Sequence, residues 1–295
     1  TPDFDGLPLD LYLSPERVLP VMGSRGCYWE KCAFCSIPFD HMTFHVRYAE
    51  NVVNDFKTLQ KKYNCNNFFF TDEALPINFL RTFAAKIIEE KVDVQWTGEL
   101  KFEKSLLRDD RMELLYKSGC RKLIFGLESY NQRVLDSMKK GVELSWVDET
   151  AEQCMKLGIA MHFYLICGFP TETREEVMDS INFILNNQRL LDSPGFSAIL
   201  SQFDLERGAP IENNPMEWGI TKLYTPPEHD LSLGYSYETS IGMNAEETNE
   251  LYQQLIEKLG REVTTFPHNY SLSDGLLYLA HPQRNSLTER LLTLA

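Results

Sequence analysis

The 295-residue chain is short of basic residues, of long apolar runs and of paired cysteines. Each shortage excludes something. Lysine and arginine number 29 against 43 aspartates and glutamates, a formal charge of −14. That balance argues against a protein that grips nucleic acid through a broad basic face. No stretch of about 18 uncharged apolar residues occurs, so no transmembrane helix is expected. No secretory signal is visible, and an odd total of seven cysteines does not read as a disulfide framework. A reducing cytoplasm is the expected compartment. There is no low-complexity segment and no internal repeat beyond an alternation of strands and helices. The chain opens at Thr1 rather than at methionine, as expected of a processed product or of part of something longer.

What is present reads as a folded protein, with 43% apolar and 24% charged residues. Apolar runs at 18–22, 67–71, 92–97, 122–127, 159–166 and 196–203 lack strict polar alternation, as strands buried on both faces do. Helix-period segments separate them at 49–62, 78–90, 105–118, 132–139 with 145–157, and 174–187. Strands alternating with helical connections imply a parallel sheet with right-handed crossovers. The expected fold is α/β, a partial (β/α)6 TIM-like barrel with a C-terminal mixed extension. Residues 1–16 read as a linker, 17–203 as the core barrel and 204–295 as the extension. Within that extension, prolines break the pattern, only 245–261 is a convincing helix, and 14 acids face 6 bases. In such barrels the chemistry sits where strands end and loops begin.

The strongest chemical signal follows the first strand: Gly26-Cys27-Tyr28-Trp29-Glu30-Lys31-Cys32-Ala33-Phe34-Cys35. Three thiolates on one short loop can converge on a single metal centre without help from the rest of the fold. A structural zinc would need a fourth ligand, for which His41 or His45 is available. An iron–sulfur cluster on three cysteines leaves one iron open to bind a ligand. The other four cysteines, Cys65, Cys120, Cys154 and Cys167, show no paired spacing and read as small buried hydrophobes.

From Pro20 to Phe203 the chain resembles the radical S-adenosylmethionine (SAM) superfamily. The resemblance implies a [4Fe–4S] cluster held by Cys27, Cys32 and Cys35, with SAM chelated to the free iron. It implies that Phe34 packs near the SAM adenine. One departure stands out: the family's commonest spacing is Cys-x3-Cys-x2-Cys, and here four residues separate Cys27 from Cys32. The second strand ends Thr71-Asp72-Glu73 where the family carries a Gly-Gly-Glu-like motif, so these three residues are implied to hold the SAM amino group. The fourth strand ends Gly126-Leu127-Glu128-Ser129, implying a place for Glu128 beside SAM. The fifth ends Cys167-Gly168-Phe169-Pro170-Thr171-Glu172-Thr173, like the family's stretch beside the adenine, with Gly168 permitting close backbone approach. Period-2 geometry places His162, Tyr164 and Ile166 on one face, so His162 and Tyr164 are candidates to line the lumen and meet substrate. Glu99 and Lys101 reach the rim of the third strand, without a pattern that fixes which side faces in.

The opening Thr1–Pro15 resembles the linker that precedes the radical SAM core in enzymes with an N-terminal cobalamin-binding domain. Ser24–Trp29 and Gly126–Ser129 with Arg133–Asp136 resemble the same group. The Asp-x-His-x-x-Gly motif that ligates cobalamin in many members is absent. Cobalamin would therefore come through a domain outside this chain, or the chain is a cobalamin-free relative. The resemblance implies reductive SAM cleavage, hydrogen abstraction and C-methylation, epimerisation or ring formation on a peptide or small molecule. It also implies an electron donor such as flavodoxin or ferredoxin. The alternatives are a zinc-stabilised binding protein and a barrel that no longer binds SAM.

Overall fold

The computed structural model describes residues 1–9, 16–37, 43–226 and 231–262. Along the chain come β1 (Val18–Val21), β2 (Ser24–Arg25), β3 (His45–Val46), α1 (Ala49–Tyr63), β4 (Asn67–Phe70), α2 (Ile77–Glu89) and β5 (Gln95–Leu100). Then follow α3 (Arg111–Lys117), β6 (Cys120–Glu128), α4 (Gln132–Ser137), α5 (Leu144–Leu157), β7 (Ala160–Cys167), α6 (Arg174–Leu185), α7 (Gln188–Leu191) and β8 (Ser197–Gln202). The remainder holds β9 (Leu205–Glu206), β10 (Ile220–Tyr224), β11 (Gly234–Thr239) and α8 (Ala245–Glu262).

Six strands form one parallel sheet in the order β1-β4-β5-β6-β7-β8. Sequential neighbours pair through helical crossovers, and β1 does not pair with β8 among the described residues, so the barrel stays open. This is the expected partial barrel. Its outer face is strongly apolar: Phe68 and Phe70 of β4 and Trp96 of β5 interlock with Phe56 of α1 and Phe83 of α2, ring centroids 4.1–5.9 Å apart. Removing any one of these buried rings should cost about 3–5 kcal/mol. Helix ends follow local chemistry. Thr173 and Glu176 form a reciprocal capping box at the start of α6, and Gly158 ends α5 in the left-handed conformation.

Four differences from the sequence reading have physical causes. Strand β5 starts at Gln95, three residues later than the apolar run, and reaches Leu100, because the Val92 amide still closes the end of α2 on the Ile87 carbonyl. Helix α3 begins only at Arg111, after Asp109 takes a left-handed φ of 54° that no helix can carry. The β2–β3 ribbon has two residues per strand, too short to show a period. The segment after Phe203, read as a single helix among breakers, also forms a three-stranded antiparallel sheet, β10-β11-β9.

That segment braces the site. Leu251, Leu255 and Leu259 of α8 join the main core one helical turn apart. A second apolar cluster joins Ala33, in the cysteine loop, to Val134 and Met138 around α4 and to Phe203, Leu205, Ile211 and Trp218. The Ile211 amide donates to the Ala33 carbonyl at 2.9 Å, and the Ser36 hydroxyl donates to Glu206.

Candidate functional site

The cysteine loop leaves β1 at the C-terminal rim of the sheet and is fixed from three sides. The Asp72 carboxylate accepts bonds from the Gly23 amide at 2.9 Å, from the Ser24 hydroxyl at 2.6 Å and from the Ser24 amide. The Tyr28 hydroxyl donates to Glu103 at 2.6 Å. The third support comes from the segment after α4. The Met138 carbonyl accepts the Ala33 amide at 2.8 Å, and the Lys139 carbonyl accepts the Trp29 indole N–H at 2.9 Å. Gly141 lies flat against Trp29, where a Cβ would come within 2.2 Å of the ring. The four residues between Cys27 and Cys32 thus have a use. Trp29 docks on Gly141, and Glu30 turns the chain with a left-handed φ of 52°.

Cys27, Cys32 and Cys35 are free and half-buried. Burial pushes the Cys35 thiol up to about 11, and the charges of Cys32 and Cys27 add to that rise. Burial also raises Cys32, against the opposing charge of Lys140. A metal centre must displace protons to bind them. Among the described residues, no three His, Cys, Asp or Glu side chains close on one metal ion. Three thiolates on one loop can hold three corners of a polynuclear cluster and leave the fourth open. The donor set fits a [4Fe–4S] cluster. His45 is exposed in β3, and His41 lies outside the described residues.

Beside the loop, β6 ends in a strained turn. Glu128 has a φ of 63°, and the Ser129 amide bonds back to the Leu127 carbonyl at 2.8 Å. A non-glycine residue held there costs about 1–3 kcal/mol. The turn aims the Glu128 carboxylate at Lys140 Nζ, 2.7 Å away, with both side chains nearly enclosed. Gly126 lies beneath the pair, and a Cβ there would come within 2.4 Å of Glu128 Oε1 and 2.7 Å of Lys140 Nζ. Burial alone would lower the Lys140 ammonium, but Glu128 and the Cys32 and Cys27 sulfurs outweigh it and hold the proton on.

The lumen face has two levels. On the upper level Tyr164 of β7 donates to Glu99 of β5 at 3.2 Å. Burial pushes the Glu99 carboxyl up to about 7; the Tyr164 bond opposes this, while the charges of Glu73 and Glu128 add to it. Lys101 follows the end of β5; its ammonium lies 4.1 Å from the Trp29 ring centroid and donates to the Gly141 carbonyl at 2.6 Å. Burial lowers it to about 8. On the lower level Lys122 donates to the Gly195 carbonyl at 2.9 Å and to Ser197 Oγ at 3.0 Å, and His162 Nδ1 lies 2.8 Å from the same hydroxyl.

The other residues singled out from the sequence sit at different depths and against different neighbours. His162 is fully enclosed on the lower level, against Tyr164, and burial drives it down to about 3. The Asp72 carboxylate is bonded to the β1–β2 loop, while Thr71 and Glu73 stay exposed. The missing side chain of Gly168 admits Thr248 of α8, whose Cγ2 would lie 2.1 Å from a Cβ. Phe34 packs against the second apolar cluster, with Lys140 Nζ 5.7 Å from its ring. Cys65, Cys120, Cys154 and Cys167 are buried and free. Lys140 was missed entirely; a Lys-Lys-Gly helix end looks like an ordinary solvated terminus.

An open parallel β/α sheet with three free thiols on the loop after its first strand defines a class. Residues 21–184 match the radical SAM superfamily, and the chain belongs to it. The family implies a [4Fe–4S] cluster and SAM as cofactors. An uncharacterised methyltransferase of Pyrococcus horikoshii is 30% identical over 191 residues, which cover 62% of this chain and 40% of the relative. Bacteriochlorophyllide d C-12(1)-methyltransferase of Chlorobaculum tepidum is 25% identical over 187 residues, with the same coverage of 62% and 40%. The structure of the radical SAM methyltransferase TsrM from Kitasatospora setae, with cobalamin and a [4Fe–4S] cluster bound, superposes with a TM-score of 0.63 at 15% identity. That match covers 90% of this chain and 57% of TsrM. The chain therefore spans only part of the proteins it resembles.

Proposed function

We propose that Cys27, Cys32 and Cys35 hold a [4Fe–4S] cluster that serves cobalamin-dependent C-methylation of a peptide or small molecule. When bound, the cluster supplies the electron that splits SAM into methionine and a 5′-deoxyadenosyl radical able to take hydrogen from an unactivated carbon. The observation that carries this reading is three free, half-buried thiols on one short loop after β1, braced by Asp72, the segment after α4 and the C-terminal segment.

The chain's own residues then divide the work. Glu73 and the Thr71 hydroxyl, exposed at the end of β4, are suited to accept from the SAM ammonium. Glu128 is fixed at the rim by Lys140 and has a second carboxylate oxygen to offer. Phe34 supplies an aromatic face for the adenine. Tyr164 and Glu99 present a phenol and a carboxyl to whatever enters the lumen, and the sealed lower level keeps water from rising behind them. Cobalamin is proposed because TsrM carries it and because the opening segment resembles a linker to a cobalamin-binding domain. It would be held by a part of the protein beyond this chain. A low-potential carrier such as flavodoxin or ferredoxin would supply the electron. Among the described residues no helix is long and apolar enough to cross a membrane.

The test is anaerobic reconstitution of the chain with iron and sulfide, followed by reduction with dithionite and addition of SAM. The reading expects 5′-deoxyadenosine or a demethylated SAM product to accumulate. Cluster-loaded protein that leaves SAM intact and does not bind it would overturn the reading.

A further inference from the structure

Four consecutive residues, Met138 to Gly141, each contact the cysteine loop. Met138 and Lys139 do so through their carbonyls and Gly141 through its bare Cα face. Lys140 sends its side chain inward past Phe34 to Glu128. Among the described residues Glu128 is its one hydrogen-bond partner, although an ammonium has three donors. The resulting ion pair is directional. Its ammonium Nζ lies 5.7 Å from the ring centroid of Phe34, the residue before Cys35, whereas the Glu128 carboxylate is bonded to Lys140 itself. The positive end therefore lies beside the cysteine loop.

Holding this pair is costly. It requires a buried ammonium, a strained turn at Glu128 and a glycine at position 126 to make room. A neutral pair of similar shape would fill the same space, and replacing a buried ion pair by such groups is often neutral or stabilising.

We infer that the Lys140–Glu128 pair is a positioning device for the cluster's charge: a fixed dipole whose ammonium end stabilises the reduced cluster and so raises its reduction potential. The inference rests on the reading of Cys27, Cys32 and Cys35 as cluster ligands. The physical argument is Coulombic. Reduction adds one negative charge to the cluster, and a nearby cation in a poorly solvated setting favours the more negative state. Removing the cation must lower the potential, and removing the carboxylate must raise it.

The experiment is a redox titration of the anaerobically reconstituted chain without SAM, followed by the electron paramagnetic resonance signal of the reduced cluster. Iron and sulfide content are measured alongside. The neutral replacement Lys140→Met with Glu128→Gln avoids leaving either charge buried alone. It is expected to shift the reduced-to-oxidised ratio at a fixed potential at least tenfold toward oxidised, a fall of about 59 mV for one electron. Glu128→Gln alone is expected to move the ratio the opposite way, and Lys140→Arg to stay near wild type. If the double variant fails to retain iron, the rise in Glu128→Gln alone decides. Unchanged potentials in cluster-loaded variants, or shifts of the same sign in both, would overturn the inference. Failure of the wild-type chain to assemble a cluster would instead strike the reading of the cysteines.

Discussion

The two levels of the lumen are both polar and differ in nearly everything else. The upper level, with Glu99, Tyr164, Glu128 and Lys140, lies beside the cysteine loop, and Glu99 and Tyr164 retain some exposure. Its carboxyl Glu99 titrates near 7 because burial and neighbouring acids penalise its charge. The lower level, with Lys122, His162 and Ser197, is sealed, and His162 is held neutral. Sealed polar groups of this kind hold strands in register, while half-open ones with shifted titration are available for chemistry. Proximity in sequence hides the division: His162 and Tyr164 are two residues apart on one strand face and belong to different levels.

The comparison is broken most severely at the cysteines. Cys27→Ala, Cys32→Ala and Cys35→Ala should each abolish cluster assembly, whereas Cys65→Ala and Cys154→Ala should keep it; iron and sulfide analysis reads the difference. Dependence on either scattered cysteine would mean that the ligands are misassigned. The next largest effect belongs to the lower level. His162→Ala should cost about 2–4 kcal/mol in denaturant unfolding, through a cavity and a lost partner for Ser197, while SAM affinity in refolded, cluster-loaded protein stays the same. A large SAM defect with intact stability would move His162 into the site. On the rim, Glu73→Ala should weaken SAM binding about tenfold, the loss of one charge-assisted bond, with iron content unchanged. Equal SAM affinity in the variant would remove Glu73 from the site.

The smallest effect is in the pH dependence of stability, and there the two levels have opposite signs. Glu99 rises from 4.5 to about 7 on folding, so its contribution is fully present below 4.5 and lost as pH rises through 7. His162 falls from 6.5 to about 3, so its contribution is present above 6.5 and lost as pH falls toward 3. Unfolding free energies across this range should show Glu99→Gln flattening the neutral-side loss and leaving the acid side alone. A variant that flattens the acid side instead would contradict the assignment of levels.

Much of this was legible from the chain alone, for reasons that also mark the limit. The six parallel strands stand out because burial on both faces leaves near-continuous apolar runs. The cysteine loop stands out because its three ligands are local. Glu99 and Lys101 resisted assignment because β5 carries Trp96 on one face and Thr97 on the other, both fully buried, so burial marks neither side. Lys140 was invisible because its partners, Glu128 and the cysteine loop, reach it only through the fold. The bonds from the Asp72 carboxylate to backbone amides of the adjoining strand end were not legible, because they form only through the fold. The antiparallel sheet after Phe203 was hidden by prolines and by a two-residue strand, β9.

The account stands or falls with the iron–sulfur cluster and its open corner. Its most direct test is the electron paramagnetic resonance spectrum of anaerobically reconstituted, reduced protein with and without SAM. The account expects about four irons per chain, a reduced-cluster signal, and a change in that signal when SAM is added. A chain that takes up zinc but no iron and sulfide, or a cluster signal indifferent to SAM, would contradict it.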